Sequence, residues 1–390
     1  MKKLFPKGRL GIKLRLVLWI AVVWTFIGVL DALNTHALAT SLYMQPTTAY
    51  RFEQSLWFSA ISAFFAGLLS GSLLLFFLRE RVRSKSFGFA ILVNSLVLST
   101  LNFGITTISY DLMLSLRSGM GPLSPPILQE ASALLHSSIY YRSLALWSLV
   151  VFLTIVFLHV NDKYGTGVFF KLLMGRYHKP REEERIFMFV DMKSSTLIAE
   201  RLGHVRFFNL LNDFFRDITN PINDAGGEIY QYVGDEVVIS WTMERGLAQA
   251  NCIRCYYGMR EKILKQSQRY REKYGLVPEF KAGLHCGLVT IGEIGVIKKD
   301  IVFSGDVLNT TSRIQDVCNR YDVRILLSKY LLDKLHLPPH TMQFMRVGII
   351  ELKGKRQKVE LYTVEDSDQP VKEGRIWPRV DEEDWVRDDY

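Results

Sequence analysis

Arg185-Ile-Phe-Met-Phe-Val-Asp191-Met-Lys-Ser-Ser-Thr196 and, downstream, Ile229-Tyr-Gln-Tyr-Val-Gly-Asp235-Glu-Val-Val-Ile-Ser-Trp241 are the two segments that decide the fold. Each is an apolar run that delivers one aspartate to a strand end. The β-branched run resumes directly after Gly234-Asp235, so that dipeptide reads as a hairpin tip. A lone Gly-Asp is ordinarily just a turn. Two carboxylates on neighbouring strand ends are instead what a pair of divalent cations needs to hold a triphosphate. The residues after Asp191 support that reading. Lys193-Ser194-Ser195-Thr196 leads into Leu197-Ile198-Ala199-Glu200, a polar cap opening a helix, and free N–H groups at a helix start bind phosphate oxygens.

Phe189-Val190-Asp191-Met192 with its Ser-Ser-Thr, followed by the Gly-Asp hairpin, resembles the two metal-binding segments of class III nucleotidyl cyclases, the adenylate and guanylate cyclases. The resemblance covers roughly residues 184–365, and further segments fall in the expected order. Glu279–Val289 alternates as a central strand and carries Lys281; Gly305-Asp-Val-Leu-Asn309-Thr-Thr-Ser-Arg313 opens a helix; Leu352-Lys353-Gly354-Lys355 joins two late strands. The expected fold is α/β (α+β): the resemblance implies a ferredoxin-like class III cyclase catalytic domain, and the long apolar runs of the N-terminal half place it after an all-α four-helix transmembrane domain.

The resemblance also implies a homodimer with two sites at its interface. Asp191, Asp235 and the carbonyl of Met192 would hold two Mg²⁺ or Mn²⁺ per active site, with Ser194, Ser195 and Thr196 beside the triphosphate. Asn309 would orient the ribose, and Arg313 would stabilise charge on the reacting phosphate; both, with Lys353, would come from the other protomer. Lys281 and Lys353 would neutralise the pyrophosphate leaving group. Asn309 and Arg313 stand four residues apart, on one helix face.

The base pocket departs from the family pattern. The two positions that commonly select adenine or guanine hold Gln231 and Val302. Gln231 can donate and accept, so it suits either base, while Val302 offers no side-chain hydrogen bond unless Asp300 or Ser304 substitutes from a shifted loop. ATP is favoured as substrate over GTP on family grounds. A cyclase-like signalling module without activity stays open as an alternative. A diguanylate cyclase fits less well, since its hairpin needs a second Gly that is absent before Asp235.

The remaining composition places this domain behind a membrane anchor. Leu16–Leu30, Leu56–Leu78, Phe87–Ile108 and Leu144–Val160 are long apolar runs, suited to crossing a lipid bilayer, some with flanking help. The formal net charge is +9, and basic residues crowd the N-terminus, the loop from Arg79 to Lys85 and the segment after Val160. The positive-inside rule therefore orients the C-terminal half toward the cytoplasm, at the inner (plasma) membrane. Asp31, at the outer end of the first span, reads as a solvated cap. The expected domains are 1–160 (membrane), 161–184 (linker or transmitter helix), 185–365 (catalytic) and 366–390 (an acidic tail).

All four cysteines lie in the catalytic half. Cys252-Ile-Arg-Cys255 has redox spacing but sits in a helical pattern with no second Cys/His pair, so it reads as helix packing. Glu244–Tyr274 reads as one long, basic helix whose charges are a solvated face, with no nucleic-acid partner. His285 reads as a packed histidine and not a general base.

Overall fold

The computed structural model describes residues 9–41, 52–78, 81, 85–164, 179–297, 299–335, 342–351 and 358–364. The chain divides into two compact units, Met1–Phe169 and Phe170–Tyr390.

The first unit is helical: α1 (Arg9–Ser41), α2 (Phe52–Leu73, continued by a π-helical turn over Leu74–Leu78), α3 (Phe87–Ser118), α4 (Pro125–Leu135) and α5 (Ser138–Tyr164). Among the described residues, four stretches are long and apolar enough to span a bilayer: Lys13–Ala37, Phe52–Leu78, Gly88–Leu116 and Tyr140–Asn161. Between α1 and α2, small residues let the backbones approach. A Cβ on Gly67 would stand 2.7 Å from the Cα of Ala21, and one on Gly28 would stand 2.7 Å from the Cβ of Ala63. Trp24 donates from Nε1 to Thr154 Oγ1 at 3.0 Å, joining α1 to α5. Asp31 is not a solvated cap. Its carboxylate lies 3.0 Å from the Arg142 guanidinium, which also donates to Thr35. An acid and a base at one depth on neighbouring spans satisfy each other at less cost than either alone.

The second unit is an eight-stranded sheet with helices. In chain order the elements are β1 (Arg181–Met192), α6 (Ser195–Leu202), α7 (His204–Asp224), β2 (Glu228–Val233), β3 (Glu236–Thr242), a single helical turn (Met243–Leu247) with a 3-10 turn (Ala248–Ala250), α8 (Asn251–Lys265), α9 (Ser267–Tyr274), β4 (Phe280–Ile294), β5 (Asp300–Ser304), α10 (Asp306–Asp316), β6 (Ile325–Ser328), α11 (Lys329–Lys334), β7 (Phe344–Glu351) and β8 (Lys358–Val364). The sheet order is β2-β3-β1-β4-β6-β8-β7, with β5 paired to β4. β4 and β6 run parallel, and the other pairs are antiparallel.

Ile186 to Val190 form an unbroken buried run because β1 is covered on both faces. Ile186, Met188, Val190 and Met192 join the core under α7 and α8, while Phe187 and Phe189 pack with Val238, Val289, Ile291 and Val307 on the other side.

The expected long helix over 244–274 is broken twice. Gln249 and Ala250 take positive φ, and Gln266 leaves helical geometry. The breaks separate two burial tasks. α8 buries Cys252, Ile253, Cys255, Tyr256, Met259 and Ile263, whereas α9 turns Tyr270 and Tyr274 inward. Their hydroxyls donate to Asp217 and Asp213 of α7, each at 2.8 Å, and Arg269 and Lys273 complete those two pairs. Part of the basic run therefore balances buried acids while its side chains stay in contact with solvent, as the sequence reading expected.

β5 and α11 were not expected from the sequence. β1 begins four residues earlier than the apolar run suggests, since Arg181 to Glu184 extend the ladder with Leu288 to Ile291 of β4.

Candidate active site

Two ladder registers bring the acids together. Asp191, next to last in β1, lies opposite Lys281 of β4, and Val190 pairs with Val237 just past the β2–β3 turn. That turn is a two-residue loop between Val233 and Glu236. Gly234 takes a φ of 61°, the left-handed conformation such loops need and glycine adopts freely. Asp235 is thereby held beside Asp191.

The Asp191 carboxylate is 25% exposed, with Lys281 Nζ 3.4 Å from its Oδ2. The Gln315 carboxamide of α10 donates to the same oxygen at 3.2 Å. Burial, then the hydrogen bond and negative charge of Asp235, raise the Asp191 carboxyl to about 6, against the pull of Lys281. Burial raises Glu236 to about 7, helped by Asp191, Asp316 and Asp235. Asp316 is raised by burial and eased by Lys281 and Arg313. Lys281 thus sits among carboxylates that outnumber it, in a site short of positive charge.

The residues fit a bound cation. Asp235 Oδ2 is buried without a hydrogen-bond partner, which is costly for a carboxylate oxygen unless something positive meets it. Among the described residues no group of three or more His, Cys, Asp or Glu is gathered for a metal. Any cation held by this acidic pair would draw its remaining ligands from backbone, water or nucleotide oxygens.

The other expected residues are placed as follows. The Met192 side chain is core, so only its backbone faces the question of a ligand. Ser194 takes a φ of 57° and does not cap α6 with its side chain. Ser195 and Thr196 form the first turn of that helix. Gln231 is exposed on β2, and Val302 is half-buried in β5, a strand and not a loop. The two strands meet through Tyr230 and Phe303, whose rings lie 4.8 Å apart and edge-on; the Phe303 N–H also donates to the Tyr230 hydroxyl. Lys353 and its neighbour Lys355 lie outside the described residues.

α10 carries Asn309, which is exposed, and Arg313, which is half-buried. Val307, Thr310, Thr311, Ile314 and Gln315 form its buried face. At about 100° per residue, Arg313 and Gln315 point roughly 200° apart around the helix. One helix therefore turns one side toward Asp191 and presents Asn309 and Arg313 away from it.

His285 is packed: its Nδ1 lies 2.7 Å from Ser328 Oγ, which caps α11, and burial lowers it to about 4. All four cysteines are free and buried. Gln315, Glu236 and Asp316 are site residues that the sequence reading did not single out. Only their closeness to Asp235 and Arg313 in the chain could have drawn attention to them.

Residues 177–366 match the family model described as the adenylate and guanylate cyclase catalytic domain. The C-terminal half belongs to that class III cyclase catalytic-domain family. Among curated relatives, Adenylate cyclase 2 of Rhizobium meliloti (strain 1021) is 40% identical over 207 residues, covering 53% of this chain and 57% of that protein. The Adenylate cyclase of Anabaena cylindrica is 24% identical over 180 residues, covering 45% of this chain and 36% of that protein. The cyclase-like half therefore spans about half, or less, of these relatives' lengths. Among solved structures, a bacterial light-regulated adenylyl cyclase aligns with a TM-score of 0.49 at 21% identity, covering 58% of this chain and 65% of that one.

Proposed function

We propose that the chain is a membrane-anchored adenylate cyclase, converting ATP to 3′,5′-cyclic AMP and pyrophosphate at sites shared between two copies. The observation that carries this reading is the acidic pair itself: Asp191 raised to about 6 beside an Asp235 oxygen that is buried and unpartnered.

Two Mg²⁺ or Mn²⁺ ions held there by Asp191 and Asp235, with the Met192 carbonyl, would supply activation of the ribose 3′-hydroxyl and neutralisation of the triphosphate. The protein's own groups do the rest. Lys281, 3.4 Å from Asp191, carries positive charge to the phosphate side of the site. The first turn of α6, with Ser194, Ser195 and Thr196, offers N–H and hydroxyl donors to phosphate oxygens. From the partner copy, Arg313 would stabilise charge developing on the α-phosphate and Asn309 would orient the ribose. The outward face of α10 supports this division, because a single copy turns Asn309 and Arg313 away from the side on which Gln315 meets its own Asp191. Lys353 is assigned to pyrophosphate on its position in sequence.

ATP is preferred to GTP on the names of the relatives, whose 40% identical member is an adenylate cyclase. Gln231 then reads the base from β2, and Val302 contributes packing. The four apolar helices anchor the protein in the inner membrane, and the basic flanks keep the catalytic half cytoplasmic.

The test is product analysis. Purified full chain with Mn²⁺ is given ATP or GTP, and products are identified by mass spectrometry. Cyclic AMP as the main product supports the reading, and cyclic GMP instead reassigns the base. No cyclic nucleotide from either would leave a binding module and overturn the enzyme assignment.

A further inference from the structure

We propose that Gln315 is a positioning residue for the divalent-cation site. The inference rests on reading Asp191 and Asp235 as the cation-binding acids and adds a residue to that reading. The Gln315 carboxamide donates from Nε2 to Asp191 Oδ2 at 3.2 Å, and Lys281 Nζ approaches the same oxygen at 3.4 Å. Two cationic or N–H groups on one oxygen restrict the carboxylate's rotation on the side facing α10 and β4. Residues that orient a metal's ligands in this way contribute much of a site's affinity.

Three features separate this contact from a chance hydrogen bond. Gln315 is 2% exposed, so water does not compete for its amide. The position is seated by backbone: a Cβ on Gly283 of β4 would stand 2.4 Å from the Gln315 nitrogen and 2.8 Å from its Cα. α10 thus rests directly on the strand that carries Lys281, and the glycine permits it. The third feature is charge. A glutamine donates without adding a negative charge, where Asp235 already meets Asp191 and where Glu236 already feels Asp191, Asp316 and Asp235.

The consequence concerns both copies of the proposed dimer. The helix that orients one subunit's acid with Gln315 is the helix that offers Asn309 and Arg313 to the other.

The experiment measures Mn²⁺ affinity of the full chain by electron paramagnetic resonance of the free ion. 3′-Deoxy-ATP is included, since it lacks the attacking hydroxyl and cannot cyclise. Gln315→Met keeps length and packing but removes the donor; Gln315→Asn keeps an amide but withdraws it by one methylene. Each is expected to weaken Mn²⁺ binding about 10- to 100-fold. Thr311→Val, one turn back on the same buried face, loses a hydroxyl that donates to the Val307 carbonyl and not to Asp191, and is expected to bind Mn²⁺ like wild type. If Gln315→Met fails to fold by circular dichroism, Gln315→Asn decides. Wild-type affinity in the foldable Gln315 variant, with binding lost in Asp235→Ala, overturns the role of Gln315 alone. Wild-type affinity in Asp235→Ala overturns the acidic pair as the cation site.

Discussion

Replacing Asp191 by asparagine is expected to stabilise the catalytic half while abolishing activity. In the fold, the Asp191 carboxyl is raised from its ordinary 3.8 to about 6, first by burial and then by Asp235. At about 1.4 kcal/mol per pH unit, holding it ionised costs about 3 kcal/mol. A raised acid makes the folded state bind its proton more tightly than the unfolded chain does. Stability is therefore lost as pH rises from about 4 to about 6, and the whole penalty is present above that. Asparagine removes the charge and keeps the shape, and Lys281 retains Glu236 and Asp316 as neighbours. The gain is about 3 kcal/mol at pH 7.5 and about half that at pH 5. For a unit of this size the larger figure corresponds to roughly 6 °C or more in the melting midpoint.

The four cysteines give a selective assay, since all are buried and all lie in the catalytic half. A thiol-reactive dye that works at both pH values reports that half's unfolding within the full chain. Mn²⁺ should raise the wild-type midpoint at pH 7.5 and leave that of Asp191→Asn nearly unchanged. A variant no more stable than wild type at pH 7.5, or equally stabilised at both pH values, would refute the reasoning.

Other substitutions probe the packing around the site. Gly283→Ala drives a methyl into the backbone of α10 at Gln315. It should cost about 2–3 kcal/mol and lower turnover more than its stability loss explains, as read from thiol labelling beside activity. In the membrane half, Asp31→Asn or Arg142→Gln alone leaves one charge unpaired, and each should lower the melting midpoint in detergent. The double variant should recover most of that loss; an additive loss would argue against the ion pair.

Much of the architecture was legible because β1 and β3 are buried on one or both faces and announce themselves as apolar runs. Gly234 and the polar start of α6 fixed where those runs end. The helix through Asn309 and Arg313 was legible from the resemblance of Gly305–Arg313 to the cyclase signature, since an Asn and an Arg four residues apart on a helix would otherwise be ordinary surface. The breaks at Gln249 and Gln266 were not, because helical periodicity continues through them and only the tertiary task of seating Tyr270 and Tyr274 imposes the bend. β5 escaped notice as a short strand whose ladder with β4 is a long-range matter. Asp31 was misjudged because its partner, Arg142, is far away in sequence. Gln315 carried no local mark at all; its role comes from the close approach of α10 to Gly283.

The most direct measurement of the shared-site account is turnover in a mixture. Asp191→Ala and Arg313→Ala proteins, each inactive alone, are mixed under conditions where subunits exchange. The account predicts recovery of about a quarter of wild-type activity, from the one composite site in each mixed dimer that keeps both its acids and the partner's arginine; the fraction follows if half the dimers are mixed and each carries one intact site of two. No recovery, in subunits shown by differential labelling to have exchanged, would contradict it.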